Sequence, residues 1–455
     1  MGMTTTTIDQ FIQDLRENVE GKVYGSADES FGSLVKVWNG AISSKPSALV
    51  RCESVSDIQE VVLLASHYGI PVSVLGGGHD WAGRAFCEGG VVIDLRSMRD
   101  VRHDPASEIV ESQGGATIGD LLAGLPDDTV IVTGTAKQVG LAGFTMGGGY
   151  GPLNGQFGLA LDNLVEATVV LADGSSVTAN ESDHADLFWA IRGGGGNFGV
   201  LASLKTRTHR LSEVQAAFIL FPISEAKTAL GRYQEILDNA PDELGLMTGF
   251  LTGQDGKPML FIASHWSGDK TQGDALLGQI TSLKGAITVS HGSSRYADSM
   301  GIFDPLVVNG RHHYIETRNL DRFNVESIAA LVDGAEQMSS PFSGIVIHDF
   351  HGKATRVSPN ATAFPLRKAH LVVEIVSAWD KSSEDLDAKH RNWATALSQN
   401  LAPHSLSGGY VNLLTDQTRV EQFYGETATR LREVKRHYDP NNMFRSAPGS
   451  IYQSE

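Results

Sequence analysis

With 455 residues, 41% of them hydrophobic and 20% charged, the chain has the composition of a folded protein with room for two or three domains. A formal charge of -17, without a Lys/Arg cluster, excludes a nucleic-acid partner, because phosphate binding needs a basic stripe. No apolar run reaches the roughly 18 residues of a membrane helix, and the opening MGMTTTTIDQFIQDL has neither the basic nor the apolar region of a secretory signal. No membrane contact and a cytoplasmic location are therefore expected. Cys52 and Cys87 are the two cysteines, without CxxC spacing, which argues against a disulfide scaffold and against a metal site.

In chain order, Ile8, Phe11, Ile12 and Leu15 recur at helical spacing and predict a first helix running to about Asn18. Ser56 to Gln59 reads as a capping box opening a helix that Gly69 and Pro71 close. Strands follow at Val72 to Leu75 and Val91 to Leu95, then a short helix near Ile118 to Leu125 and a strand at Thr129 to Val132. Leu164 to Leu171, Asp173-Gly174 and Ser176 to Ala179 read as a hairpin, since Asp-Gly supplies the positive φ of a tight primed turn. From about Gln215 the texture changes. Strand patterns at Ala217 to Phe221, Met259 to Ala263, Gly344 to Phe350 and Leu371 to Ala378 alternate with helical ones at Ile223 to Asn239, Asp274 to Leu283, Asn324 to Met338 and Ser383 to Asn400. That is an α+β class, with a sheet large enough to wall a cavity.

The 50 glycines cluster at Gly76-Gly77-Gly78, Gly147-Gly148-Gly149 and Gly193 to Gly196. Residues without Cβ let backbone N–H groups approach a phosphate-bearing ligand, and three such clusters outweigh the reading of each as a tight turn. Gly194, Gly196 and Gly199 formally match G-x-G-x-x-G, but a helical segment precedes them and a strand follows, the reverse of a dinucleotide-binding unit.

The run Pro71-Val-Ser-Val-Leu-Gly-Gly-Gly-His79-Asp-Trp-Ala-Gly83 resembles the PCMH-type FAD-binding segment of berberine-bridge-enzyme-like flavoproteins, within the vanillyl-alcohol-oxidase superfamily. Thr133 to Gly140, Gly147 to Gly151, Phe157 to Ala160, Asp186 to Gly199, Thr362 to Arg367, Tyr410-Val-Asn412 and Tyr438-Asp-Pro-Asn-Asn442 stand in that family's order over nearly the whole chain. The resemblance implies an FAD-binding domain made of residues 1–211 and a returning segment 405–455. A substrate domain, residues 212–404, would carry a large antiparallel sheet flanked by helices. It implies FAD bonded through His79, a residue type whose neutral imidazole is a competent nucleophile. Further FAD contacts are implied at Leu75, Gly76, Gly77, Gly78, Asp80 and Gly83, at Thr133, Gly134, Val139, Gly140, Gly143, Gly148 and Gly149, and at Asn197, Gly199, Val200, Tyr410 and Asn412. Ala136 stands where many relatives place a second linking Cys, so a single link is expected. Leu75 replaces the family's Arg. Val139 occupies the position that favours reaction with molecular oxygen.

Oxidising a C–H bond next to a hydroxyl or amine also needs a proton acceptor. The Tyr that several relatives place after Tyr-x-Asn is Leu413 here, so the base is not inherited. Four candidates stand in its place: Tyr410, Glu374 on the face of Val372 and Val376, and the pair Asp349 and His351, which share a face with Ile347 opposite His348 and Phe350. Tyr314 is a candidate substrate contact. The expected function is an FAD-dependent oxidase of a small alcohol, amine, sugar or phenolic intermediate, using oxygen. An oxidative cyclase or flavin-dependent oxygenase is the alternative, and a flavin-binding protein without turnover the remote one. Substrate identity and oligomeric state stay open.

Overall fold

The computed structural model describes residues 5–381, 383–414 and 423–445. Helix Thr5–Asn18 buries Phe11, Ile12 and Leu15 against Ile58, Val61, Val62 and Ala65 of helix Val55–Tyr68, as the spacing requires. That second helix starts earlier than the expected box. Ser54 is its cap, accepting the Asp57 N–H at 3.1 Å, while the Asp57 carboxylate accepts the N–H groups of Glu20 and Glu53. Gly69 closes the helix in the left-handed conformation, φ 68°.

Three sheets follow. Ala48–Arg51, Val91–Asp94 and Val72–Leu75 pair in parallel, with Lys22–Gly25 antiparallel at one edge. The parallel strands are near-continuous apolar runs, as strands covered on both faces must be. A second, antiparallel sheet has the order Val101–Asp104, Ile109–Gln113, Val200–Arg207, Leu164–Val170, Ser176–Ala179, and the expected hairpin turns at Gly174 with φ 80°. Helix Ala185–Ile191 precedes the Gly193 to Gly199 run and strand Val200–Arg207 follows it, so the order is indeed the reverse of a dinucleotide unit.

The third sheet is antiparallel throughout, ordered Ile287–Ser294, Val214–Pro222, Pro258–Trp266, Leu244–Thr252, Gly344–Phe350, His370–Trp379, His312–Leu320. Three of these strands escaped the sequence pattern for different reasons. Leu244–Thr252 is buried over most of its length and so shows no alternation, Ile287–Ser294 is exposed on both faces, and His312–Leu320 buries polar residues such as His313 and Thr317. One face carries helices Ala226–Leu237, Lys270–Thr281, Val325–Glu336 and Glu384–Leu401 over a core that includes Tyr233, Ile345, Ile347, Val373, Ile375 and Trp393. The opposite face bears Met247, Phe261, Val346, His348, Glu374 and Val376, and turns toward the other two sheets.

The chain end returns to the start of the molecule. Phe444 bridges Val72 in parallel, and helix Ala428–Tyr438 packs Leu431 and Val434 with Leu187 and Phe188. Lys435, 1% exposed, donates to Asp439 at 2.6 Å, to the Asn197 carbonyl at 2.8 Å and to the Phe444 carbonyl at 3.0 Å. Asp439 in turn accepts the N–H groups of Met443 and Phe444. This buried network explains the Asp-Pro-Asn-Asn ending, because it folds the last segment back under the glycine loops. Asp439→Ala removes the carboxylate that neutralises a buried ammonium and is expected to cost about 3–5 kcal/mol. A urea melt followed by tyrosine and tryptophan fluorescence should show the midpoint fall accordingly.

Candidate active site

Between the three sheets lies a cavity of about 520 Å³. Its floor is glycine. Strand Val72–Leu75 runs into Gly76 to Gly78, and a Cβ on Gly77 would stand 2.4 Å from the Gly140 nitrogen, while one on Gly140 would stand 2.5 Å from the Gly77 nitrogen. The two loops therefore meet backbone on backbone, which only this residue type permits. A Cβ on Gly143, by contrast, would meet nothing within 4 Å and would project into the cavity. The floor is a built cradle.

His79 stands at its end, stacked on Trp38 with ring centroids 4.4 Å apart and planes 11° apart. Trp38 stacks on its other side against His313, at 3.8 Å. The His79 Nε2 and both ring nitrogens of His313 are buried without a hydrogen-bond partner among the described residues. Burial pushes His79 down to about 4, and burial with the nearby Arg311 charge pushes His313 down to about 3, so both rings are neutral near pH 7. Asn39 fixes the arrangement: its side chain donates to the carbonyls of Trp81 and His313 and accepts the His313 N–H.

The returning segment closes another wall. Tyr410 is buried edge-on to Tyr150, and Asn412 Nδ2 donates to the Tyr410 hydroxyl at 3.1 Å and to the Gly143 carbonyl at 3.0 Å. Arg84 ties this segment to the glycine loop, donating to the Val411 and Asn412 carbonyls while pairing with Asp80 at 2.7 Å. Burial pushes the Tyr410 phenol well above its ordinary range, which keeps it protonated and makes it a donor rather than a base.

On the large sheet, Glu374 and His348 face the cavity together, with Oε1 to Nε2 at 3.1 Å. Strand register accounts for it: Val346 lies opposite Glu374 and His348 opposite Val372, so all four share one face. Asp349 lies opposite Leu371 on the helix-covered face, touching the cavity only at the strand's end, and its carboxylate is held by His351 at 2.5 Å. His351 also donates to the Pro241 carbonyl, and although burial opposes it, the Asp349 carboxylate raises its imidazole above the usual value. The geometry thus keeps Asp349 and His351 as a structural pair and brings forward His348, which carries the opposite parity. Tyr314 also faces away: its hydroxyl donates to Glu316 at 2.7 Å, and its strand neighbours His313 and Ile315 line the cavity instead.

Of the expected FAD contacts, Gly76, Gly77, Gly78, His79, Asp80, Gly134, Val139, Gly140, Gly143, Gly199, Tyr410 and Asn412 line the cavity. Leu75 and Val200 are fully buried in the packed core. Thr133 bonds Tyr296 at 3.1 Å, Gly83 abuts Ile42, and Asn197 offers its carbonyl to Lys435. Gly148 and Gly149 make room for Tyr410 and Phe144 rather than for a ligand. Ala136 faces the cavity, whereas Cys87 donates to the Pro71 carbonyl outside it. Trp38, Arg84, Tyr150, His265, His313 and His348 line the site without having been singled out; only the Gly78-to-Trp38 backbone contact, invisible in sequence, brings Trp38 there.

Buried neutral imidazoles set a pH limit. His265 and His370 are also pushed down by burial, from 6.5 to about 4. Since the folded values lie below the unfolded ones, their contribution is complete above pH 6.5 and is lost as pH falls toward 4, up to about 3 kcal/mol for each fully buried ring. The thermal midpoint should fall steeply over that window, and His265→Leu should make the fall shallower by about one proton.

The floor and His79 fit a flavin nucleotide: the Gly143 face is open where a side chain would fill the cradle, and a buried imidazole nitrogen is left without a protein partner at its end. The FAD binding domain family matches residues 46–180, and the berberine and berberine-like family matches residues 409–449. The FAD-linked oxidoreductase aurO of Gibberella zeae is 32% identical over 443 residues, covering 94% of this chain and 85% of that protein. (R)-6-hydroxynicotine oxidase of Paenarthrobacter nicotinovorans is 26% identical over 446 residues, covering 94% and 96%. The crystal structure of 6-hydroxy-D-nicotine oxidase from Arthrobacter nicotinovorans superposes with a TM-score of 0.87 at 26% identity, over 96% of this chain and 98% of that one. BBE-like 1 of Physcomitrella patens shares the fold, with a TM-score of 0.88 at 20% identity over 98% and 99%. The chain belongs to the berberine-bridge-enzyme-like FAD-linked oxidoreductases.

Proposed function

We propose that this protein is an oxidase that carries FAD on a single covalent link to His79 and uses Glu374 as the proton acceptor for a small organic substrate. The observation that carries it is the His79 ring, neutral, stacked flat on Trp38 and with an unpartnered buried nitrogen at the end of the glycine cradle. Bound FAD supplies the acceptor of two electrons from the substrate carbon and their onward passage to molecular oxygen. The chain supplies the rest. Glu374 takes the proton of the substrate O–H or N–H, and His348, 3.1 Å away, orients its carboxylate and shares the charge change. Tyr410, held protonated, donates into the site, and the Asn412 contact fixes its direction. Ala136 at the cavity wall offers no second thiol, and Val139 leaves only a short side chain beside the glycine floor. In this reading residues 1–211 and 405–455 hold the cofactor and residues 212–404 hold the substrate.

Two experiments test it. Against a panel of phenols, amines and alcohols, turnover should release one peroxide per oxygen consumed, and Glu374→Gln should lower kcat by about 10²–10⁴ while the visible flavin spectrum persists. Oxygen consumption without peroxide would point to an oxygenase, and an unimpaired Glu374→Gln would remove the base. Trp38→Ala should retain FAD but leave most of it unlinked, seen as lost fluorescence of the denatured protein band; full linkage in that variant would contradict the positioning role.

A further inference from the structure

Resting on the oxidase reading, we infer that the substrate of this chain is an apolar aromatic molecule carrying a hydroxyl, a phenol, rather than a sugar or a cationic amine. The wall facing the glycine floor is built from Met247, Leu251, Phe261, Phe303, Val346 and Val376. Phe261 and Phe303 lie 5.4 Å apart, and Phe218 joins them at 5.7 and 5.9 Å, an edge-and-face cluster against which another ring packs. Among the described residues on this wall, the Asp, Glu, Lys and Arg side chains come to two: Glu374, beside His348, and Asp349, already paired with His351.

The mouth has the same character. Leu306 and Phe342 line the cavity and are 56% and 43% exposed, with Ile302 and Val308 exposed beside Leu306. Arg311 lies over the Phe342 ring at 3.6 Å and holds that lip with its charge spent on the aromatic face. Exposed apolar groups of this kind, continuous with an apolar chamber, mark a path for an apolar ligand.

These features discriminate among substrates. A saccharide would bring many hydroxyls into a wall where the polar partners are concentrated at Glu374 and His348, and each unpaired hydroxyl would count against it. A protonated amine would cross an apolar mouth to a carboxylate already engaged by an imidazole at 3.1 Å. A phenol enters neutral, packs its ring on the phenylalanine cluster and presents one O–H to the Glu374 and His348 pair.

The test uses the FAD-loaded protein and two probes, 2-naphthol and cellobiose, each titrated without oxygen while the visible flavin spectrum is followed. A saturable change with 2-naphthol and none with cellobiose is expected. Leu306→Asp, at an exposed position that does not endanger folding, should weaken the 2-naphthol response by roughly tenfold, and Val346→Asn should weaken it further. Saturation by cellobiose at equal or lower concentration, a flat response to both probes, or an unchanged response in Leu306→Asp would each overturn the inference. Loss of the oxidase reading is separate: it would show as 2-naphthol saturation in a protein that consumes no oxygen with any phenol.

Discussion

A three-ring stack joins the two halves of this molecule. Trp38, between His79 and His313, is held by backbone bonds to Gly78 on one side and to Gly310 on the other, while Asn39 binds Trp81 and His313. The stack therefore sets how the edge strand of the large sheet meets the glycine floor, and with it the depth of the cavity. The rings are neutral because they are buried, and burial follows from the indole that separates them. Cofactor attachment and substrate-wall position share one support.

The returning C-terminal segment is the second constraint. Arg84 links the carbonyls of Val411 and Asn412 to Asp80, one residue beyond His79, so Tyr410 is positioned by the same loop that presents the histidine. Lys435 and Asp439 anchor the rest of the segment beneath the floor. The chain thus uses charged pairs where segments distant in sequence must hold register, and leaves the wall facing the substrate apolar. A carboxylate with an imidazole is the polar feature at the centre of that wall, where a single proton has to leave.

Legibility in the sequence varied with the physics of each part. Glycine clusters, hairpin and amphipathic helices were readable because steric demand and periodicity are local. Strand Leu244–Thr252 was not, since burial on both faces erases alternation, and the same holds in reverse for the exposed Ile287–Ser294. Parity along Gly344–Phe350 was read correctly, with His348 opposite Asp349, but which parity meets the cavity depends on pairing with His370–Trp379, a long-range fact. Tyr314 failed for the same reason. His313, one residue away, faces the site because Asn39, 274 positions earlier, fixes that strand edge.

The account stands on the bond from His79 to FAD, and mass spectrometry of the denatured, desalted protein tests it most directly. It predicts a mass gain of one FAD in the wild-type chain, carried by the peptide that contains His79 and absent from His79→Ala. A yellow protein whose denatured chain shows no added mass, or whose added mass resides on another peptide, would contradict it.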